Sequence, residues 1–118
     1  MHEMGIALQI IDVAVRSIPK TNDQVQVEAV HLRIGKLSAV VPQSLTFCFD
    51  ITKKDTPLAN AKLQIEEIPI TAKCRDCGHE MIITEAFFKC SQCQEGKLEI
   101  LSGRELDIVS ITLSDTER

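Results

Sequence analysis

The stretch CRDCGHEMIITEAFFKCSQC, residues 74–93, holds two Cys-x-x-Cys pairs with 12 residues between them. Each pair presents two thiolates to one ion across a tight turn. Zinc takes four such sulfurs in a tetrahedron, which leaves no open coordination position for a water molecule. A closed site of this kind is structural, so we assign it no hydrolytic chemistry. The spacing therefore predicts a structural zinc site with four ligands: Cys74, Cys77, Cys90 and Cys93.

Two other arrangements of these thiols compete with zinc. One is a pair of disulfide bonds. The other is a thioredoxin-like redox pair, which requires a strand–helix–strand context that the surrounding sequence lacks. Four of the five cysteines lie in the two pairs, and this pairing is typical of a metal site in a reducing compartment. We expect His79, beside the first pair, to be a surface residue and Cys48 to be a small core residue.

Three apolar segments around the cysteine stretch predict the rest of the fold: 25–34, 63–70 and 106–113. In each segment apolar residues alternate with polar ones, and the alternation changes phase midway. Segments that share this irregularity are expected to pair with one another in a sheet. Because the last segment follows the cysteines, the cysteine stretch is an insertion. The prediction is an α+β fold with a three-stranded sheet and two helices, plus an inserted four-cysteine zinc-ribbon lobe, with these bounds: a main domain at 1–71 and 98–118, and a zinc-binding domain at 72–97.

Two further segments have helical patterns. Residues 4–18 are apolar around most of the helix circumference, with a narrow polar stripe on which Asp12 and Arg16 can pair. A helix this apolar must pack against a sheet or another helix. Pro42 suits the first turn of a second helix, which we expect to run to about Lys53.

The composition argues against several functional classes. The 118 residues carry a formal net charge of −4 and include four Phe but no Tyr or Trp. A nucleic-acid-binding protein usually presents a basic face or stacking aromatic residues, and the sequence supplies neither. Residues 1–4 contain no basic residue, and Asp12 and Arg16 interrupt the apolar run that follows. We therefore expect neither a signal peptide nor a membrane span, and a cytoplasmic location.

The first three residues form a second candidate metal site. A His at position two brings three nitrogens within reach of one cation: the α-amine of Met1, and the backbone amide and imidazole of His2. These donors close fused planar chelate rings, which suit Ni²⁺ or Cu²⁺ better than tetrahedral Zn²⁺. Glu3 offers a fourth donor through its amide or its carboxylate. The alternative is a solvated terminal histidine without a role, but a helix from residue 4 would anchor these residues to the fold.

Longer motifs extend over nearly the whole chain. They are the Met1-His2-Glu3 opening followed by a helix, LRIGKLSAVVPQSLTFCFD at 32–50, TPLANAKL at 56–63, the two Cys-x-x-Cys pairs, and GRELDIVSITL at 103–113. With these motifs the chain resembles the HypA/HybF family of hydrogenase maturation nickel chaperones. Gly5 stands where members usually carry Ser or another small residue, which leaves the candidate nickel ligands unchanged.

This resemblance implies a function that spacing alone does not. It implies nickel bound through Met1, His2 and Glu3, and zinc on the four cysteines. It also implies delivery of nickel to the large subunit of NiFe-hydrogenase together with the GTPase HypB, and some relatives also serve urease. The chain is then a metallochaperone and not an enzyme, with no nucleic-acid or membrane partner. Whether the chain forms a homodimer is left open.

The sequence alone leaves two alternative functions open. One is a zinc-ribbon nucleic-acid or protein-interaction module, and the other is a thiol oxidoreductase. Within 72–97 four basic residues are balanced by four acidic ones. That balance removes the attraction to phosphates on which nucleic-acid binding relies.

Overall fold

In this computed structural model the described part of the chain, residues 2–19, 25–84, 89–94 and 97–115, folds into two helices and two three-stranded sheets. The elements are, in chain order, α1 His2–Arg16, β1 Val25–Gly35, α2 Pro42–Thr52, β2 Lys62–Ile68, β3 Ile70–Cys74, β4 Glu80–Ile83, β5 Leu98–Ser102 and β6 Leu106–Asp115. One sheet has the order β2-β1-β6 and the other β4-β3-β5. The predicted α+β fold, with two helices beside a three-stranded sheet, is confirmed.

One compact unit holds both helices and comprises Met1–Arg33, Val40–Glu66 and Asp107–Arg118. In this unit α1 packs against α2. Both Ala29 and Val30 are buried where the alternation of β1 changes phase, so the strand is covered on both faces at this point. The buried apolar residues of this unit come from the two helices, from β1 and from the segment before β2: Ala7, Ile10, Ile11 and Ala14 from α1; Val27, Ala29, Val30 and Leu32 from β1; Leu45, Cys48 and Phe49 from α2; and Leu58 and Ala61 before β2.

The two helices differ from the prediction at their ends. Helix α1 begins at His2 instead of residue 4 and ends at Arg16. The Ser17 N–H donates to the carbonyl oxygens of both Val13 and Ala14, which satisfies part of the last turn. Helix α2 begins at Pro42, as predicted, and ends at Thr52. No helix in the described ranges combines the length and apolarity needed to cross a bilayer.

The predicted strand 63–70 is wrong as a single strand. It is divided into β2, which ends at Ile68, and β3, which begins at Ile70 in the other sheet. Pro69 stands between them, and a proline has no N–H to donate to a strand ladder. The phase change seen in this segment therefore marks a passage from one sheet to the next.

The second compact unit comprises Ile34–Ala39 and Glu67–Leu106 and carries the four paired cysteines. Its central strand β3 pairs antiparallel with both β4 and β5. Lys73 lies opposite Glu80 on β4 and opposite Glu99 on β5, so opposite charges face each other across both ladders. The zinc-binding domain expected from the sequence, residues 72–97, is narrower than this unit. That domain stays a prediction, because it concerns whether those residues fold independently.

A close approach of two glycines closes the base of this second unit. The Gly35 N–H donates to the carbonyl oxygen of Glu105 at 2.8 Å, and the Leu37 N–H donates to that of Gly103 at 2.7 Å. A Cβ atom at position 35 would lie 2.0 Å from the Gly103 carbonyl oxygen. The backbone segments therefore fit together only because residue 35 has no side chain.

We expect Gly35→Ala to lower the free energy of unfolding by at least about 1–3 kcal/mol, because backbone atoms must move to admit the methyl group. Gly5→Ala is the matched control. A Cβ at position 5 meets nothing within 4 Å, and alanine favours a helix over glycine by up to ~1 kcal/mol. Urea denaturation of both variants measures the difference. Equal stability of the two variants would show that the close approach of Gly35 to Gly103 is not required.

Candidate metal centre

The first Cys-x-x-Cys pair lies at the end of β3 in a tight turn. The Gly78 N–H donates to the Cys74 carbonyl oxygen at 2.9 Å, and the Cys74 N–H donates to the His79 carbonyl oxygen at 2.9 Å. Gly78 has a φ of +78°, in the left-handed region that favours glycine. This turn places the Cys74 and Cys77 side chains on the same side of the loop.

The second pair repeats the same turn. The Gln94 N–H donates to the Cys90 carbonyl oxygen at 3.1 Å. Gln94 has a φ of +65°, so the residue four positions after the first cysteine is left-handed in both turns. Cys90 is buried, whereas Cys93 is half-buried. The two turns are equivalent knuckles, each presenting two thiols.

The four sulfur atoms converge in space. The Sγ atoms of Cys74 and Cys93 lie 3.6 Å apart, and those of Cys77 and Cys90 lie 3.5 Å apart. All four ligand atoms lie within 4.8 Å of one another. Zn–S bonds of about 2.3 Å in a tetrahedron imply S···S separations of about 3.8 Å. A disulfide requires about 2.05 Å. The donor set therefore fits one tetrahedral ion bound by both knuckles.

Hydrogen bonds make these thiols unequal. The backbone N–H groups of Cys93 and Gln92 donate to Cys90 Sγ at 3.4 Å each, and they lower the pKa of this thiol to about 6. The pKa of Cys77 is raised: the His79 N–H lowers it, but desolvation and the neighbouring thiols of Cys90 and Cys74 raise it more. These backbone hydrogen bonds favour the thiolate of Cys90, which is the form of cysteine that binds a metal ion.

Cys48 lies in the core, as expected from the sequence, whereas His79 was expected at the surface and is only partly exposed. His79 is half-buried and supports the first knuckle through its backbone. Cys48 is buried on α2 in the first unit and is not a member of the thiol cluster. In the described ranges, the four paired cysteines form the one group of three or more His, Cys, Asp or Glu residues whose ligand atoms converge.

The N-terminal candidate site is described in part. Met1 lies outside the described residues, as does the side chain of His2, whose backbone begins α1. Glu3 is half-buried in the first turn of this helix. The Val41 N–H donates to Glu3 Oε2 at 3.4 Å. The first N–H groups of a helix have no acceptor within it, so the amides of His2 and Glu3 are not committed to the helical ladder.

Sequence reasoning missed the contact between Glu3 and Val41. The two residues are 38 positions apart, and the donor is a backbone N–H that any residue except proline carries. No residue type at position 41 signals this contact. A shallow groove adjoins it, lined by Glu3, Met4, Gln43, Ser44, Phe47 and Cys48.

Comparisons with known proteins agree with the motifs. A family model described as hydrogenase/urease nickel incorporation, metallochaperone, hypA matches residues 1–113. A hydrogenase maturation factor HypA from Desulfatibacillum aliphaticivorans is 60% identical over 117 residues, covering 99% of this chain and 90% of that protein. A HypA from Desulfosudis oleivorans is 57% identical over 115 residues, covering 98% and 100% of the two chains.

Solved structures agree with the fold. A HypA protein determined in solution has a TM-score of 0.68 at 22% identity, covering 98% of each chain. The nickel metallochaperone HypA from Helicobacter pylori has a TM-score of 0.61 at 21% identity, covering 92% of this chain and 94% of its own. Together with the family match over residues 1–113 and relatives up to 60% identical, these findings show that the chain belongs to the HypA family.

Proposed function

We propose that this chain is a nickel metallochaperone that binds Ni²⁺ through Met1, His2 and Glu3 and delivers it during maturation of NiFe-hydrogenase. The family match over residues 1–113 carries this proposal, because it spans both candidate metal sites. The proposed partners are the GTPase HypB and the large subunit of the hydrogenase, with urease as a second client. In this scheme HypB supplies the nucleotide chemistry and this chain supplies the nickel.

The start of α1 suits a nickel site that must also release its ion. The α-amine of Met1, the amide nitrogen of His2 and its imidazole are planar nitrogen donors of the kind Ni²⁺ accepts. A deprotonated amide is anionic, and the N-terminal end of a helix favours negative charge. The ion itself is positive, so the same helix end opposes a cation that is not fully neutralised by its ligands. We infer a site that forms as protons leave and weakens when a ligand is protonated or withdrawn.

We propose that Zn²⁺ is the resident ion of the four-cysteine centre. Four sulfurs and a spacing close to a tetrahedral edge favour zinc over Ni²⁺ in this centre. A bound zinc ion would cross-link the two knuckles and would leave no open coordination position for a water molecule. The role of Cys74, Cys77, Cys90 and Cys93 is then to hold the two knuckles together. We further propose that residues 72–97 fold as a lobe whose stability depends on this ion.

Cys90→Ala should abolish stoichiometric zinc binding and unfold the lobe. Structural zinc contributes roughly 10–16 kcal/mol in small zinc peptides at neutral pH, and a few buried apolar side chains cannot replace that contribution. Cys48→Ala is the matched control, since it removes a buried thiol on α2 that is outside the cluster. Elemental analysis and NMR amide dispersion are the measurements. Full zinc content and a native spectrum for Cys90→Ala would refute the structural role of zinc.

Removal of zinc with a chelator should leave the helical unit partly protected. Its core of residues from α1, β1 and α2 buries aliphatic side chains without using the metal. Hydrogen exchange followed by mass spectrometry should then show slow amides in β1 and β6 and fast amides in β4. Exchange at one common rate in all three strands would mean that the protein is a single cooperative unit.

An N-terminal extension should weaken nickel binding about as severely as His2→Ala, because it converts the Met1 amine into an amide. A C-terminal extension of the same sequence is the control and should have no effect. Affinity should rise as pH increases through the range of the α-amine, about 7.7–8. Nickel titration followed by absorption spectroscopy measures this, with zinc content checked in each protein. One-equivalent binding at native affinity by the N-terminally extended protein would remove the amine from the site.

A further inference from the structure

The thiol cluster contains an exposed sulfur directly beside a buried one. Cys77 lies at the surface, whereas Cys90 is 1% exposed, and their Sγ atoms are 3.5 Å apart. The second contact has the same character, because half-buried Cys93 lies 3.6 Å from the buried Cys74. Each contact joins one knuckle to the other. An accessible thiol poised next to a second thiol is the arrangement of cysteines that oxidants convert to disulfides.

The positions of the sulfur atoms favour disulfides between the knuckles. A disulfide holds its sulfurs at about 2.05 Å, so those of Cys77 and Cys90, now 3.5 Å apart, need to approach by only about 1.5 Å. A disulfide between these two residues closes a loop with 12 intervening residues, whereas one within a knuckle closes a loop with two. The longer loop restricts the unfolded chain more strongly. The pairing across the knuckles is therefore favoured by position and by stability.

We propose that the cluster is a site of reversible oxidation by a hydroperoxide, in which Cys77 reacts first and Cys90 then forms a disulfide with it across the two knuckles. Hydrogen peroxide is the simplest oxidant of this class. The inference goes beyond the proposed delivery of nickel. It rests on the exposure and spacing of the thiols, so it can be tested separately from the identity of the ion that they bind.

The reaction uses two thiols and one peroxide molecule. The Cys77 sulfur attacks a peroxide oxygen, the O–O bond breaks and hydroxide leaves, which gives a sulfenic acid. The Cys90 sulfur then attacks the Cys77 sulfur, so that an S–S bond forms, the S–O bond breaks and a second hydroxide leaves. Protons from the thiols, or from solvent when the sulfurs start as thiolates, convert both hydroxides to water. The sulfurs thus lose the two electrons that the peroxide oxygens gain.

Oxidation would exchange one cross-link for another. The thiolate is the form of cysteine that binds a metal ion, so the first disulfide leaves the centre with two of its four ligands. A second disulfide, between Cys74 and Cys93, leaves none. Because both disulfides join the knuckles, the chain segments of the second unit stay tied together after an ion has left. Added thiols reduce the disulfides and restore the metal-binding form.

Tryptic digestion distinguishes the possible pairings, because basic residues lie between the cysteines. The cleavage sites are Lys73, Arg75, Lys89 and Lys97. Peptide 76–89 then carries Cys77 alone, and peptide 90–97 carries Cys90 together with Cys93. The proposed first disulfide joins these two peptides, whereas a disulfide within either knuckle leaves them separate. Tandem mass spectrometry shows which cysteine of peptide 90–97 is joined.

The experiment starts from native, zinc-loaded protein treated with hydrogen peroxide. Zinc should be released as the first two thiols are lost, and peptides 76–89 and 90–97 should be joined through Cys77 and Cys90. Continued oxidation should add the disulfide between Cys74 and Cys93, and dithiothreitol should restore the thiols and zinc binding. Cys48 is the matched control within the same chain. It is buried on α2 outside the cluster and should stay reduced.

Two variants that each lack one thiol of the cluster test the order of reaction. Cys93→Ser keeps the contact between Cys77 and Cys90 and should still form that disulfide. Cys77→Ser keeps only the contact between Cys74 and Cys93, whose sulfurs are less exposed, and should lose its thiols several-fold more slowly. Both variants are compared with native protein after removal of zinc, so that the three proteins differ in sulfur and not in metal.

Peptides 76–89 and 90–97 that remain separate after the first two thiols are lost would overturn the inference. Oxidation of Cys48 as fast as the cluster would overturn it as well. If the variants fold too poorly for comparison, the peptide map of the native protein decides. Zinc-loaded protein whose thiols resist excess peroxide contradicts the inference and leaves the proposed zinc in place. Native protein without zinc that still joins Cys77 to Cys90 supports the inference and contradicts the proposed zinc.

Discussion

Convergence of the four thiols on one point is the constraint on which, as we propose, the second unit depends. In the described part of this unit the buried apolar residues are few, and two of them are candidate ligands: Ile34, Ile68, Ala72, Cys74, Ile83 and Cys90. Apolar burial contributes about 25 cal/mol per Å², so a core of this size stabilises only weakly. Three short strands and two left-handed turns are held in place because both knuckles must reach the same point. The helical unit buries Phe49 and Leu45 fully, so we expect its core not to depend on a metal ion.

Much of the fold was predictable because, in long segments, the periodicity of apolar residues indicates both the type of element and the face that is buried. The apolar circumference of α1, the proline at the start of α2, and the phase changes of β1 and β6 are signals spread over ten or more residues. Short elements are not predictable in this way. Strand β4 has four residues, Glu80–Ile83, too few for alternation to distinguish a strand from a loop. The division at Pro69 was misread because both halves of the segment are apolar and extended, although they belong to different sheets.

The candidate sites were predictable to different depths. Cysteine spacing identifies the thiol cluster, because few other arrangements use two such pairs at this distance. It does not reveal that Cys90 receives two backbone hydrogen bonds, which lower the pKa of its thiol to about 6. The partner of Glu3 was also beyond sequence reasoning. Glu3 meets a backbone N–H 38 residues away, and backbone groups carry no sequence signature.

The crossed sulfur contacts, Cys74 with Cys93 and Cys77 with Cys90, have a consequence for when this unit comes apart. Each knuckle supplies one sulfur to each contact, so an ion bound by all four sulfurs would tie the two knuckles together. Such an ion would close the intervening loop as a disulfide does, and would restrict the unfolded chain in the same way. The two kinds of cross-link differ in what opens them. A disulfide yields to thiols, whereas this one yields to acid or a stronger chelator. With the proposed zinc bound, the loop would stay closed in reducing solution and would open when the metal is removed or its thiolate ligands are protonated.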